Sequence, residues 1–329
     1  MSEKTLELPK SKEGFFSKEK LNDYSKRYGM VLILLLMVIG VSSIKPVFLK
    51  SANIINIFKQ VAVIGTLAYG VTLIIITEGI DLSSGSVVAL VGVVSASFAT
   101  MGGNVFIAIL AGLFAGALCG AVNGVVIAKT GIPPFIVTLG MMTIARGAAL
   151  LYSGGKPIGH INPSFLYIGA GKIGWLPVSV LIFLLMGLIS HIILRKTKFG
   201  KTIYAIGGNE KAALICGLNV KKVKVILYTY AGLMSAIGGL ILTARVSSGN
   251  PTSGLSYELD AIASAVIGGT SLSGGSGFIS GTIIGALIIG VLNNGLMLLG
   301  VSPYWQQIIK GLIIVGAVVL DASRNKKAA

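Results

Sequence analysis

"VFIAILAGLFAGALCGAVNGVVIA", Val105 to Ala128, is a run of 24 residues without a single charge. About 20 apolar residues in a helix cross the ~30 Å hydrocarbon layer of a bilayer, so this stretch reads as a transmembrane helix. Within it Gly112, Gly116, Gly120 and Gly124 recur every four residues. That spacing makes a bare stripe on one helix face, where a second backbone can pack closely.

The same pattern extends outward along the chain. Nine more apolar runs lie at Met30 to Ser43, Ile54 to Ile76, Val87 to Thr100, Phe135 to Leu151, Trp175 to Leu194, Val223 to Thr243, Ile262 to Gly269, Phe278 to Leu299 and Trp305 to Leu320. Together they predict an all-α polytopic membrane protein of about ten spans, with a membrane domain over 29–322. Several runs are short or interrupted by Gly/Ser segments, which implies half-helices or re-entrant turns enclosed by protein. The composition agrees: 54% of the 329 residues are hydrophobic and 12% charged, and the 45 glycines are about twice the usual ~7%.

The net charge of +16 does not point to nucleic acid, because the basic residues flank spans and no groove-reading element is visible. They set the orientation instead. With a mixed-charge arm (1–28) inside, the basic clusters Arg195 to Lys201, Lys221 to Lys224 and Ser323 to Lys327 all fall on the cytoplasmic side if the span count is even. Lys156 and Lys172 fall outside, against the bias. The expected product is a multi-pass protein of the cell (inner) membrane with both termini cytoplasmic and a short tail at 323–329. The arm lacks the basic-then-apolar layout of a cleavable leader. Cys119 and Cys216 make neither a disulfide framework nor a metal site.

Enzymatic signals fail. "FGKT" (Phe199 to Thr202) ends like a phosphate-binding loop, but Arg195 stands where the first glycine belongs. "GAGKIG" (Gly169 to Gly174) matches a dinucleotide fingerprint by letter and has no preceding strand. His160 and His191 have no ligand-spaced companions. No catalytic residue, cofactor or metal is expected.

Ionisable residues beside the spans carry more information, because they are costly there. Glu78 and Asp81 flank "TEGIDLSSGS", and Glu258 and Asp260 open "SYELDAIASAVIGG"; Arg146 lies in the fifth span and Arg245 just past the seventh. Asp81 reads as an N-cap of the next helix, with lining of a solute path as the alternative. Glu258 and Arg245 read as a salt bridge between spans. A proton relay through Glu78 and Asp81, as in an ion-coupled transporter, is left open.

Two loops share G-x-x-L-S-x-G-S: "GIDLSSGS" (Gly79 to Ser86) and "GTSLSGGS" (Gly269 to Ser276). Downstream, "GALCGAVNG" resembles "GALIIGVLNNG", and Gly277, Gly281 and Gly285 form a second four-residue ladder. Both ladders are expected to serve helix packing. An internal duplication is one reading, although about 21 extra residues between the first loop and its ladder conflict with a simple inverted repeat.

One short helix lies outside the oil. In "AIGGNEKAALICGLNVKKVK" (Ala205 to Lys224), Asn209 is an N-cap, Glu210 complements the helix dipole, and Gly217 supplies a left-handed stop. Residues Glu210 to Cys216, with Lys211, Ala212, Ala213 and Leu214 among them, make about two turns, a helix too short to stand alone. Its apolar face suits either a lipid surface or a groove on a partner.

This stretch, with "TEGIDLSSGS", "GMMTIARG", "GLSYELDAIASAVIGGTSLSGGSG", "GTIIGALIIGVLNNGLMLLGVSPYWQQIIKG" and "VVLD", resembles the permeases of ribose-type ABC sugar importers from about Ile54 to Asp321. Glu78 stands where a small residue is expected, and Gly154 to Gly174 matches least. The resemblance implies a monosaccharide permease for ribose or a similar pentose or hexose, with no nucleotide site of its own. It implies pairing with a second copy, delivery of sugar by an extracytoplasmic binding protein, and drive from a separate ATPase with tandem nucleotide domains. The segment 195–224 then becomes a cytoplasmic coupling segment, and its helix from Asn209 to Gly217 fits a cleft on the ATPase. Asp81, Ser83, Ser84, Ser86, Ser271, Ser273, Asn123, Asn293 and Asn294 become candidates to line the path. A nucleoside or branched-chain amino acid permease is the nearer rival.

Overall fold

The computed structural model describes residues 18–326. Residues 1–17 of the expected N-terminal arm and 327–329 of the expected tail lie outside them. Among the described residues there are thirteen α-helices. They are α1 (Lys18–Ile44), α2 (Ser51–Ile76), α3 (Ser84–Phe98), α4 (Val105–Thr130), α5 (Pro134–Ser153), α6 (Pro163–Ala170), α7 (Val178–Lys196), α8 (Lys198–Gly208), α9 (Glu210–Ile215), α10 (Val220–Val246), α11 (Tyr257–Ile267), α12 (Ile279–Leu298) and α13 (Pro303–Lys326).

Each of the ten apolar runs falls on one helix, and α6, α8 and α9 are the short helices between them. Six helices (α2, α4, α5, α7, α10 and α12) are long and apolar enough to cross a membrane. The chain is an all-α polytopic membrane protein. Not all ten helices have the length of a full span, however. At 1.5 Å per residue the 11 residues of α11 rise only about 16 Å, half the hydrocarbon thickness.

The helices alternate between two ends of the bundle. At one end, bridges join Thr100 to Ile161 and Ile158 to Gly249, gathering the C-termini of α3 and α10 around α6. A two-residue hairpin (Lys172–Ile173 with Leu176–Pro177) sits there too. At the other end, α8 and α9 connect α7 to α10.

Helix α2 is the axis, since every residue from Val61 to Ile76 is buried. Tyr69 stacks on Phe183 of α7 with ring centroids 5.2 Å apart. Gly70 lies so close to Ala231 of α10 that a Cβ would be 2.7 Å from the Ala231 Cα.

The stripe on α4 faces α10. A Cβ at Gly116 would sit 2.6 Å from the Gly232 carbonyl oxygen, one at Gly124 would sit 2.7 Å from the Val225 Cα, and one at Gly120 would overlap the Tyr228 carbonyl. Gly112 faces Leu240. On α12, Gly281 abuts the Gly268 carbonyl and Gly285 that of Ser264 on α11. Gly277 precedes α12 and is not on its face; the expected three-residue ladder is therefore shorter by one, because the helix begins only at Ile279.

The end of α2 explains Glu78. The Gly79 amide reaches the Ile74 carbonyl (3.1 Å) and the Glu78 amide that of Ile75 (2.9 Å), a helix stop whose left-handed position usually holds glycine. Glu78 occupies it at φ 60°. Left-handed backbone costs an L-residue about 1 kcal/mol more than glycine, so Glu78→Gly should raise the unfolding free energy in detergent by about that amount. By contrast, Gly120→Val should force α4 off α10 and cost about 3 kcal/mol, read as a lower melting temperature.

Candidate functional site

Between α2 and α3 the chain leaves helical geometry over 77–83. Its peptide groups need partners, because nothing in hydrocarbon supplies them. Thr138 of α5 supplies two at once: its hydroxyl donates to the Ile80 carbonyl (3.1 Å) and accepts from the Leu82 amide (3.2 Å). Asp81 is 3% exposed. Its Oδ1 accepts from the Ser83 amide (2.8 Å) and hydroxyl (2.6 Å), and Asn123 of α4 donates to that hydroxyl (3.1 Å).

Asp81, Ser83 and Asn123 are thus one buried chain of hydrogen bonds. The N-cap of α3 is Ser83, without a side-chain cap bond. Asp81 therefore shapes the turn leading into α3 rather than capping it, because its carboxylate is spent on the residue two positions on. Ser84 and Ser86 are buried in the first turn of α3. Ser84 Oγ, Asn123 Oδ1 and the Tyr228 hydroxyl are buried without a partner. Tyr228, which lies within electrostatic reach of Asp81, had no distinguishing signal in the sequence.

The second break, 268–278, follows α11. Ser271 is buried and Ser273 exposed. The Ser271 amide donates to the Ser276 carbonyl (3.1 Å), folding the loop on itself. The Gly275 amide donates to the Ile76 carbonyl at the end of α2 (2.9 Å). The two breaks therefore touch through α2.

Asn293 and Asn294 lie elsewhere. Asn294 and Asn53 exchange two amide hydrogen bonds of 2.9 Å, tying α12 to the first turn of α2. Asn293 stands beside Asp260. The nine candidate path residues thus fall in three places, not one.

The charged residues pair differently from the sequence reading. Arg245 donates to Asn56 (3.0 Å), and Arg146 holds the Pro251 and Ser253 carbonyls (2.7 and 2.8 Å). Glu258 lies against Gly85 of α3, so the expected Glu258 to Arg245 bridge is absent. Two ion pairs are present among the described residues: Lys310 to Asp260 (3.0 Å) and Lys224 to Glu210 (2.7 Å). Neither pairing is set by sequence spacing.

The short helix α9 is built from its caps. Asn209 Oδ1 accepts from the Ala212 amide (2.9 Å). Gly217 is left-handed at φ 80°, and the Leu218 amide closes onto the Ala213 carbonyl (3.1 Å). Ala213 is buried while Lys211 and Ala212 are exposed. Leu214 is 51% and Ile215 87% exposed. Ile215 on this two-turn helix therefore points away from the body, and Leu214 is half exposed. A cleft of about 290 Å³, lined by Lys129, Lys221, Lys224 and Leu214 among others, runs beside it to the end of α4.

Helix α8 was not foreseen as a helix. Its signal is Thr197, whose hydroxyl caps it by accepting from the Gly200 amide (3.1 Å). Tyr204 on α8 donates to the Gly277 carbonyl (2.6 Å). Burial pushes this phenol's pKa up, so it stays a donor throughout the neutral range.

Residues 53–318 match the model of a family described as the permease component of the branched-chain amino acid transport system. The chain is 48% identical over 302 residues to the ribose import permease protein RbsC of Bacillus subtilis, covering 91% of this chain and 94% of that one. It is 46% identical over 301 residues to the protein of that name from Escherichia coli K12 (90% and 93%). It is 37% identical to the D-allose transport system permease protein AlsC of the same strain (91% and 93%). No solved structure matches the chain.

The Asp260 to Lys310 pair generates a prediction. Removing one partner of a largely buried pair strands the other charge, at about 3 kcal/mol, whereas replacing both with apolar groups is close to neutral. Lys310→Leu should therefore destabilise the protein in denaturant titrations, and adding Asp260→Leu should restore most of the loss.

Proposed function

The chain belongs to the permease family of branched-chain amino acid transport systems, and from that premise we propose that it is the membrane subunit of an ATP-driven importer of ribose or a similar pentose or hexose. The observation that carries the choice of solute is near-half identity, along almost the whole chain, with relatives named as ribose import permeases.

The α8–α9 end is cytoplasmic in this reading. Between positions 195 and 224 the chain carries eight Lys or Arg and a single acid, Glu210, which suits the cytoplasmic bias of basic residues. Both termini then lie in the cytoplasm. The exposed Leu214 and Ile215 are the peg that a separate ATPase with tandem nucleotide domains grips, and ATP is hydrolysed there. The opposite end, with Tyr167, Ile173 and Trp175 exposed, receives sugar from an extracytoplasmic binding protein.

A second copy completes the path. On α5, Gly140, Thr143 and Gly147 are exposed, with open space beside both glycines. A small-residue face of this kind lets a helix of the other copy approach closely. Sugar hydroxyls meet Asp81, Ser83, Ser84, Ser86 and Asn123 at the first break, with Ser271 and Ser273 at the second. Closure of the ATPase moves α9, and the helices shift between two packings. A proton relay has less support: Asp81 is bonded to Ser83, and Glu78 is exposed.

Proteoliposomes test this. Ribose uptake is expected only when the chain is reconstituted with its ATPase and binding protein, and vanadate should abolish it. Accumulation by the chain alone would refute the reading. Leu214→Asp with Ile215→Asp should release the ATPase in pull-downs and lower uptake at least about tenfold, the loss of two buried apolar contacts.

A further inference from the structure

Helix α8 does more than carry α9. Gly207 on α8 is wedged between the two breaks: a Cβ there would overlap the Ile76 carbonyl and sit 2.6 Å from the Gly275 amide nitrogen. The Ile76 carbonyl is the acceptor that the Gly275 amide uses. One turn earlier, the Tyr204 hydroxyl holds the Gly277 carbonyl at 2.6 Å. Gly277 in turn lies against the Ile76 side chain, 2.9 Å from where its Cβ would be. Gly274 completes the contact, a Cβ there falling 2.6 Å from the Gly207 carbonyl oxygen.

Ile76 ends the enclosed α2, and Gly274 to Gly277 lead into α12. One face of α8 therefore touches the last residue before the first break and the last turn of the second. A Cβ on Gly208, the next residue, would meet nothing within 4 Å, so of these two neighbours only Gly207 has no room for a side chain.

We propose that Tyr204 and Gly207 form the joint through which displacement of α9 reaches both breaks at once. The proposal rests on the transport reading above and adds the place where the cytoplasmic helices grip the membrane helices. Tyr204 and Gly207 are positioning residues, since neither touches solute.

The test uses the reconstituted importer, scored as sugar transported per ATP hydrolysed. Tyr204→Phe removes one short hydrogen bond and should lower that ratio about fivefold, with ATPase binding and basal hydrolysis unchanged. Gly207→Ala should lower it by about tenfold, and Gly208→Ala should leave it intact. Amide exchange at Gly275 in the isolated chain should rise in Tyr204→Phe and Gly207→Ala. Unchanged transport per ATP and unchanged exchange in both would overturn the joint. Loss of ATPase binding would also count against it, since Asn209 and the rest of α9 are untouched. Failure of wild-type uptake with partners present would sink the transport reading instead, and the exchange measurement would still judge the joint.

Discussion

A peptide group that leaves a helix inside hydrocarbon must find its hydrogen-bond partner in protein, at several kcal/mol for each group left alone. This chain breaks its helices twice, at 77–83 and 268–278, and much of the architecture serves to enclose those breaks. Thr138 of α5 answers an amide and a carbonyl of the first. The second is answered by its own loop, by the Ile76 carbonyl and by Tyr204. Enclosure on this scale requires helices to approach at backbone distance, which is why α4 turns glycines toward α10 and α12 turns glycines toward α11.

What was legible in the sequence is what is local. Hydropathy located ten helices, and capping chemistry located α9 to within a residue, because both signals lie within a few positions of what they govern. What was not legible depends on partners far along the chain. Asp260 meets Lys310 across 50 positions, and Tyr204 meets Gly277 across 73. The Glu258 to Arg245 reading failed for this reason: proximity in sequence to the same pair of spans says nothing about helix rotation, and rotation gives Arg245 to Asn56. Gly277 was misassigned because a four-residue period continues by letter past the point where the backbone stops being helical. Helix α8 was hidden by its lysines, which read as a span exit, although Thr197 offered a start signal.

The resemblance between the two halves takes a definite form in three dimensions. The residue before the first G-x-x-L-S-x-G-S segment meets the second segment near α8, the side chain of Glu78 lying against Gly274. The glycine stripes that follow them do not run alike. Helix α4 ends beside α9, whereas α12 starts near α8 and finishes where Asn294 meets Asn53. The ladders are therefore antiparallel while their loops share one end, a relation that no single inverted repeat generates. The extra helix α3 between loop and ladder in the first half accounts for the reversal.

The small helix in water is explained by how little holds it. Among its residues only Ala213 is buried, and Glu210 reaches Lys224 of α10 through an ion pair that remains partly exposed. An exposed pair of this kind is worth about 1 kcal/mol or less. In the coupling we propose, a helix so lightly seated moves readily when the ATPase pulls its apolar side chains. What it moves is decided by what is stiff behind it: α10, interlocked with α4 through glycine contacts, and α8, seated on both breaks. For the proposed coupling, weak seating of α9 and close seating of α8 are complementary requirements. A peg fixed rigidly to the body would resist displacement, and a peg backed by a loose α8 would move without moving the path.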